Sequence, residues 1–349
     1  MFNNLKSIYS NLKRRFFFNH FHEVPKPIVK IKKKINGKQM LFFSGGDLNK
    51  NKVFYVIQRY NAEGAFFSDL VFVINNLKIA DDYGFIPIVD MQNFPRWYNE
   101  NTKIKKTLNS WNYYFDSVSN YSLEEVYKSK NIILSNKTFY SNFGFKYKIS
   151  ESEELKNIYK KYIRIDRKIL KISEYFSEKN FKNNKILGVH FRGTSYKWGK
   201  NPYPATINQM KKKIKKIFKD DEYDKIFLVT EDINNFNELK KEFNNKLIYL
   251  KNSFRDKGTK AFTAYPRLNH RYKLGRDLLI ETILLSKCDG YLDTPGNVGE
   301  AVCNMNLNIL QKKYLINNGF NSGLPILGNY LWYLKSLLPD FLGGFKDFD

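Results

Sequence analysis

"ILGVHFRGTSYKWG" (186–199) runs from a short apolar stretch into a histidine, an arginine and a polar loop. Ile186, Leu187 and Val189 read as a buried strand, so the chain is leaving a core where it reaches His190 and Arg192. A cation at the tip of a buried parallel strand gains nothing unless something anionic sits there. Gly193, Thr194 and Ser195 follow at once, as a short polar turn.

The pattern on both sides of this strand alternates between strand and helix. Before it, strands are expected at 53–60, 85–91 and 131–135, with a helix running to about Asp82 and another near 122–129. Two Lys- and Glu-rich helical stretches fill 150–180 and link this half to the next. After it, helices over 206–219, 233–243 and 273–287 alternate with strands at 225–230, 246–250 and 290–294, and a last helix starts at Asn297. Alternation of this kind predicts parallel sheets covered by helices on both faces. The expected architecture is α/β, with two Rossmann-like domains and a cleft between them. The boundaries fall at 1–35 (a basic N-terminal segment and linker), 36–180, 181–318, and 319–349, where "YLWYLKSLLPDFL" (330–342) reads as one more packing helix.

With 349 residues and 42% hydrophobic content the chain can bury a large core. Its formal charge of +25 suggests nucleic acid at first. The lysines are spread along the chain, though, and no RNP-like motif, zinc-knuckle spacing or Arg-rich tail accompanies them, so a nucleic-acid partner is not expected. A positive field equally suits a nucleotide diphosphate or an anionic membrane surface. Cys288 and Cys303 form no CxxC, and Cys288 reads as a small buried residue before a strand. No apolar run approaches the roughly 18 residues of a membrane span. "FFF" (16–18) is too short for the apolar core of a signal peptide, so a cytoplasmic protein is expected. Phe2, Leu5, Tyr9, Leu12 and Phe16 share one helical face, with Lys6, Lys13, Arg14 and Arg15 largely off it. Such a helix lies either in a lipid interface, on the inner face of the cytoplasmic membrane, or against the protein's own body.

In open α/β sheets ligands sit beyond the carboxyl ends of the strands. Three such ends carry chemistry here: "HFRGTS" (190–195), "TED" (230–232) and "DTPGNVGEA" (293–301). The first supplies a cation. The third supplies a glycine-containing turn into a helix, whose free N–H groups and dipole favour phosphate. Asp232 is either part of a nucleoside pocket, with Thr230, or a helix N-cap. No histidine pair or carboxylate cluster points to a metal. Asp347-Phe348-Asp349 spells D-x-D but has no strand before it.

"GVHFRGTSY", "KIFLVTED" and "LGRDLLIETILLSKCDGYLDTPGNVGEA" together resemble, in order and spacing, the three C-terminal motifs of the fucosyltransferase superfamily. The resemblance covers about 186–305, with a weaker match over 53–91. It implies a GT-B fold and an inverting, metal-independent enzyme with no cofactor, using a GDP-sugar donor held by the C-terminal domain. On that resemblance Arg192 engages the β-phosphate and steadies the departing diphosphate, His190 lies near the nucleoside or phosphates, and Gly193 and Thr194 complete the turn. Glu281 falls where the family has an Asp that reads guanine, with Asp277 one turn earlier as the competing choice. Thr294, Gly296, Asn297 and Val298 match the polar turn before the last helix. Gly296 stands where serine is common, and Ser195 where many members have Asp. Glu63-Gly64, after the first strand, resembles the glutamate-glycine of one branch, where the glutamate is the catalytic base. Asn61 or Arg59 could instead position the donor, and Asp90 is the alternative base. The expected acceptor is a glycan or lipid-linked glycan in surface polysaccharide assembly.

Overall fold

The computed structural model describes residues 29–35, 38–59, 65–135, 152–193, 195–197, 201–258, 261–306, 312–322 and 327–347. Residues 1–28, which include the amphipathic stretch, and Asn61, Glu63, Gly64 and Thr194 lie outside them. The chain forms two compact units. The first takes in 1–167 and 267–276, the second 168–266 and 277–349, where the sequence pattern sets a single boundary at 180/181.

Unit 1 is built on a five-stranded mixed sheet, not the purely parallel one that the alternation predicts. Strands β1 (Val29–Ile35) and β2 (Lys38–Ser44) pair antiparallel, so residues 29–35 are a strand where a linker is expected. The cue is in "VKIKKKI", where Val29, Ile31 and Ile35 share one parity. Strands β3 (Phe54–Ile57), β4 (Ile86–Val89) and β5 (Ile132–Leu134) complete it in the order β1-β2-β5-β3-β4, with β3 parallel to both β4 and β5. Helix α1 (Phe66–Asp82) connects β3 to β4, and the short helices α2 (Trp111–Tyr114) and α3 (Leu123–Tyr127) precede β5. Phe54, Val56, Ile88, Val126 and Ile132 form the core under α3. The aromatic loop joins the packing: Tyr98 and Trp111 are buried, and Phe66 makes edge contacts with the Tyr98 and Tyr114 rings. Helix α4 (Glu153–Tyr162) also belongs to this unit.

Helix α5 (Arg167–Asn180) leads into unit 2 and its wholly parallel sheet. The strands are β6 (Ile186–His190), β7 (Lys225–Val229), β8 (Leu247–Ile248), β9 (Gly290–Asp293) and β10 (Lys313–Leu315), in the order β10-β9-β6-β7-β8. Helix α6 (Ile207–Asp220) joins β6 to β7 and α7 (Ile233–Phe243) joins β7 to β8. Helix α8 (His270–Ser286) precedes β9, and α9 (Asn297–Met305) runs from β9 towards β10. The short β10 carries no signal that the alternation reveals. Period-two alternation sends Leu187, Val189 and Phe191 into a core with Met210, Ile214 and Leu239 of α6 and α7. The opposite face carries Gly188, where any Cβ would meet Leu285 and Cys288 at 3.1–3.2 Å, so α8 packs close against the middle of β6. Cys288 and Cys303 are buried free thiols.

Starting from β6, the chain adds β7 and β8 on one side, then returns to add β9 and β10 on the other. The strand order therefore reverses between β6 and β9. In a doubly wound sheet the connections at such a point leave in opposite directions and open a crevice beyond the strand ends. The "HFRGTS" and "DTPGNVGEA" stretches meet there.

Candidate functional site at the switch point of unit 2

Register sets the site. Val189 pairs with Leu292, which places His190 beside Asp293 at the ends of β6 and β9. Both are buried, and His190 Nδ1 lies 3.0 Å from Asp293 Oδ1. The Asp293 carboxylate also presses on the first turn of α9, where a Cβ on Gly299 would come within 1.8 Å of its Oδ2. Glycine at 299 is thus required for the aspartate to reach the histidine. This pair fixes the two strand ends relative to each other, and His190 acts as a framework residue with its ring held in orientation.

Arg192 emerges two residues later. Its guanidinium lies 4.4 Å above the Tyr196 ring, and Nε is 3.5 Å from Glu231 Oε1. The same Glu231 oxygen accepts from the Gly193 N–H at 3.2 Å. Burial works to raise the Glu231 pKa, but Arg192, His190 and the backbone N–H groups outweigh it and hold the carboxyl below its ordinary value. Glu231 therefore stays anionic and orients the arginine from behind. A planar guanidinium stacked on one face and steered at Nε has its far edge suited to forking onto phosphate oxygens. Gly193 is tightly enclosed: a Cβ there would meet Asn235 Nδ2 at 2.8 Å and Asp232 at 3.1 Å.

The opposite wall is the entry to α9. Thr294 is buried, and its Oγ1 has no hydrogen-bond partner among the described residues. A buried hydroxyl left unsatisfied costs about 1–3 kcal/mol, and a ligand oxygen or a water would relieve it. Gly296 is the N-cap residue in an extended conformation, and a Cβ there would meet nothing nearer than the Tyr196 hydroxyl at 3.6 Å. Serine would fit, so the departure at this position is not imposed by packing. Tyr196 thus stands between Arg192 and the first turn of α9. Asn297 is exposed at the helix start and Val298 is buried under it. Of Ser195, only the backbone is described, as the start of a 3-10 turn (Ser195–Lys197).

A third wall comes from α8 and the long loop after β8. Glu281 and Asp277 are both buried, one turn apart. Ser253 Oγ donates to Glu281 Oε1 at 2.6 Å. Burial pushes the Glu281 pKa up to about 7, opposed by Ser253 and Arg255 and reinforced by Asp277 and Glu231. Arg255 stacks on Phe236 at 4.3 Å and donates to the Leu250 and Ser253 carbonyls, which pins the loop beneath Glu281. Thr230 Oγ1 accepts from Asp232 N–H, and Asp232 caps α7 by accepting from Asn234 and Asn235 N–H. Of the two roles open to Asp232, the structure shows the cap. Glu231 stands between these two residues, and it is the one that reaches Arg192. With Tyr196, Ser253 and Arg255, it is a part of the site that the sequence patterns do not single out.

In unit 1, Asp90 follows β4 and is fully enclosed. It accepts from the Gln92 and Asn93 N–H groups, the Asn93 amide and, at 2.6 Å, the Tyr127 hydroxyl. Four donors staple a turn, and burial drives its pKa upward. That arrangement gives Asp90 a scaffolding role in place of the base role open to it in the sequence. Arg59 is committed as well, with its guanidinium on Asp69 at 2.7 Å and on Ser68. Beside β4 lies a cavity of about 350 Å³ with a mixed lining, amides and hydroxyls such as Gln92, Thr107 and Asn109 alternating with Ile88, Trp111 and Leu123.

No family model matches the chain, and no curated protein matches it by sequence. Among solved structures, the α-1,6-fucosyltransferase NodZ soaked with GDP-fucose aligns with a TM-score of 0.50 at 15% identity, over 73% of this chain and 93% of that one. A mutant of Arabidopsis thaliana FUT1 in complex with GDP aligns at 0.41 and 9% identity, over 75% and 70%. POFUT1 in complex with GDP-fucose aligns at 0.34 and 9%, over 90% and 93%. The likeness to NodZ shows a shared fold, so the fold is GT-B, with a Rossmann-like strand order in unit 2.

Proposed function

We propose that this chain is a fucosyltransferase-like glycosyltransferase that takes its sugar from a GDP-sugar donor. The observation that carries the reading is the convergence at the switch point of unit 2. A steered arginine, an unpartnered threonine hydroxyl and a helix entry surround one crevice, with a buried carboxylate on a further wall. Cation, hydroxyl and helix N–H groups suit a diphosphate. A carboxylate at Glu281 suits the N1–H and N2–H edge of guanine. NodZ, which shares the fold, was soaked with GDP-fucose, and the same donor class fits this crevice.

The sugar transferred is L-fucose or a related deoxyhexose or heptose. In the inverting reaction the acceptor oxygen attacks the anomeric carbon from the face opposite the nucleotide, and the bond from that carbon to the β-phosphate oxygen breaks. Charge grows on the departing diphosphate, where Arg192 already stands, so stabilisation increases towards the transition state without reorganisation. The acceptor's proton goes to Glu63, which lies outside the described residues, and the chemistry at the diphosphate needs no metal. The acceptor is a glycan, lipid-linked in surface polysaccharide assembly, and residues 1–24 supply a membrane contact.

Thermal-shift measurements with GDP, UDP and ADP, each with and without divalent cations, test this reading. GDP-selective stabilisation independent of metal supports it. Equal responses to UDP or ADP, or none at all, would refute the donor assignment.

A further inference from the structure

The C-terminal "YLWYLKSLLPDFL", expected as a packing helix, is anchored through Trp332 but leaves much of its apolar surface open. Helix α10 (Leu331–Leu337) and the 3-10 turn after it (Asp340–Leu342) leave several leucines and a phenylalanine in solvent. Leu337 is 83% and Phe341 85% exposed, with Leu334, Leu338 and Leu342 also open. Leu334 and Leu337 end α10, Leu338 leaves it in an extended conformation, and Phe341 and Leu342 follow on the 3-10 turn, so five exposed apolar side chains form a ridge within residues 334–342. Patches of this kind mark a contact surface.

We propose that this ridge is a lipid-contacting face that seats unit 2 on an anionic bilayer. Two observations select lipid as the occupant. The chain carries a net charge of +25, and around the ridge exposed Lys346, half-buried Lys335, Lys197 over Trp332 and Lys212 on Asp347 outnumber Asp340 and Asp347 of the same segment, so an anionic surface is attracted to it. Tyr330 and Tyr333 are exposed on the same helix, and the Trp332 ring sits 4.4 Å below Lys197 Nζ, the aromatic and lysine composition of a membrane interface.

The ridge is firmly attached. Trp332 Nε1 donates to the Pro204 carbonyl at 2.9 Å, Gln209 donates to the Lys346 carbonyl, and Phe345 packs on the Tyr203 ring. Lys197, under which Trp332 lies, is the residue after Tyr196, the ring that supports Arg192. A bilayer at α10 would therefore lie close to the diphosphate site and bring a lipid-borne acceptor towards it. That last consequence rests on the proposed function; the lipid contact does not.

Vesicle co-sedimentation of the full chain tests the proposal, comparing phosphatidylcholine alone with phosphatidylcholine containing about 30% phosphatidylglycerol. The wild type is expected to bind the anionic vesicles, with binding weakened by high salt. The L337E/F341E double variant, checked for an unchanged melting temperature, is expected to lose at least about tenfold in partitioning. The N-terminal segment is present in both proteins, so the difference reads the ridge alone. Equal partitioning of the two proteins, no vesicle binding by either, or a wild-type dimer that the double variant disperses would each overturn the proposal. Vesicle binding without any response to GDP would leave the lipid face standing and remove the donor reading.

Discussion

Replacing Glu281 by glutamine should stabilise the free protein and, on the proposed donor reading, weaken its binding of guanine. Burial is the main cause that raises this carboxyl from 4.5 to about 7 in the folded chain. The sign follows from linkage. A folded pKa above the unfolded value means that the native state holds the proton more tightly. The associated stability is fully present below about 4.5 and is lost as pH rises to about 7. At pH 8 the native chain carries a buried carboxylate whose cost is on the order of 3 kcal/mol; at pH 5.5 most of that cost is gone, leaving about 1 kcal/mol. Glutamine keeps an oxygen that can accept from Ser253 Oγ, so the variant avoids the charge without orphaning the hydroxyl. For a unit of this size, about 3 kcal/mol corresponds to a rise in melting temperature of roughly 5–10 °C at pH 8 and much less at pH 5.5. GDP binding moves the other way, because guanine's two donors need the ionised form. Wild-type affinity should fall about tenfold between pH 8 and pH 6, following the ionised fraction, whereas the glutamine variant should bind weakly and with a flat profile. Melting curves and GDP titrations of both proteins across this range provide the check. A variant that is no more stable at pH 8, or that binds GDP with the wild-type pH profile, would refute the reasoning.

Arg192→Ala should lower transfer by at least about a hundredfold with little change in melting temperature, measured as GDP released from GDP-fucose in the presence of acceptor. Gly299→Ala should destabilise by about 1–3 kcal/mol, because the new methyl overlaps the Asp293 carboxylate that holds His190, and denaturant unfolding reads this directly. Gly296→Ser should stay within about 0.5 kcal/mol of the wild type in the same assay, since the nearest atom to the added carbon is 3.6 Å away. Ser253→Ala should raise the pH at which GDP binding is lost, by removing the hydrogen bond that favours ionised Glu281.

The strand ends of unit 2 are legible in the sequence because each apolar run stops abruptly at polar or charged residues. Leu187 and Val189 announce β6, and "GYLD" announces β9. What linear order does not reveal is which strand lies beside which. The reversal between β6 and β9, and with it the meeting of His190 and Asp293 at the two strand ends, exists only once β9 returns to pair with β6. Glu231 is hidden for a similar reason. It sits in "TED" beside a threonine and an aspartate of equal chemical promise, and only the backbone path decides that Asp232 caps the helix and Glu231 faces the arginine. Ser253 and Arg255 lie in a loop without periodicity, so no local pattern links them to a helix residue almost thirty positions away. In "VKIKKKI" the lysine run obscures the strand alternation. Helix α10 shows the reverse limit, since an apolar stripe states that a face wants cover but not that the protein itself supplies it.

The most direct test of the account is calorimetric titration of GDP and GMP, in the presence of a chelator, into the wild type and Arg192→Ala. If Arg192 and the α9 entry hold a diphosphate, the wild type will bind GDP at least about tenfold more tightly than GMP, and the variant will lose most of that difference. Equal affinity of the wild type for GDP and GMP, or a preference that survives the loss of Arg192, would contradict the assignment of this crevice as a nucleotide-diphosphate site.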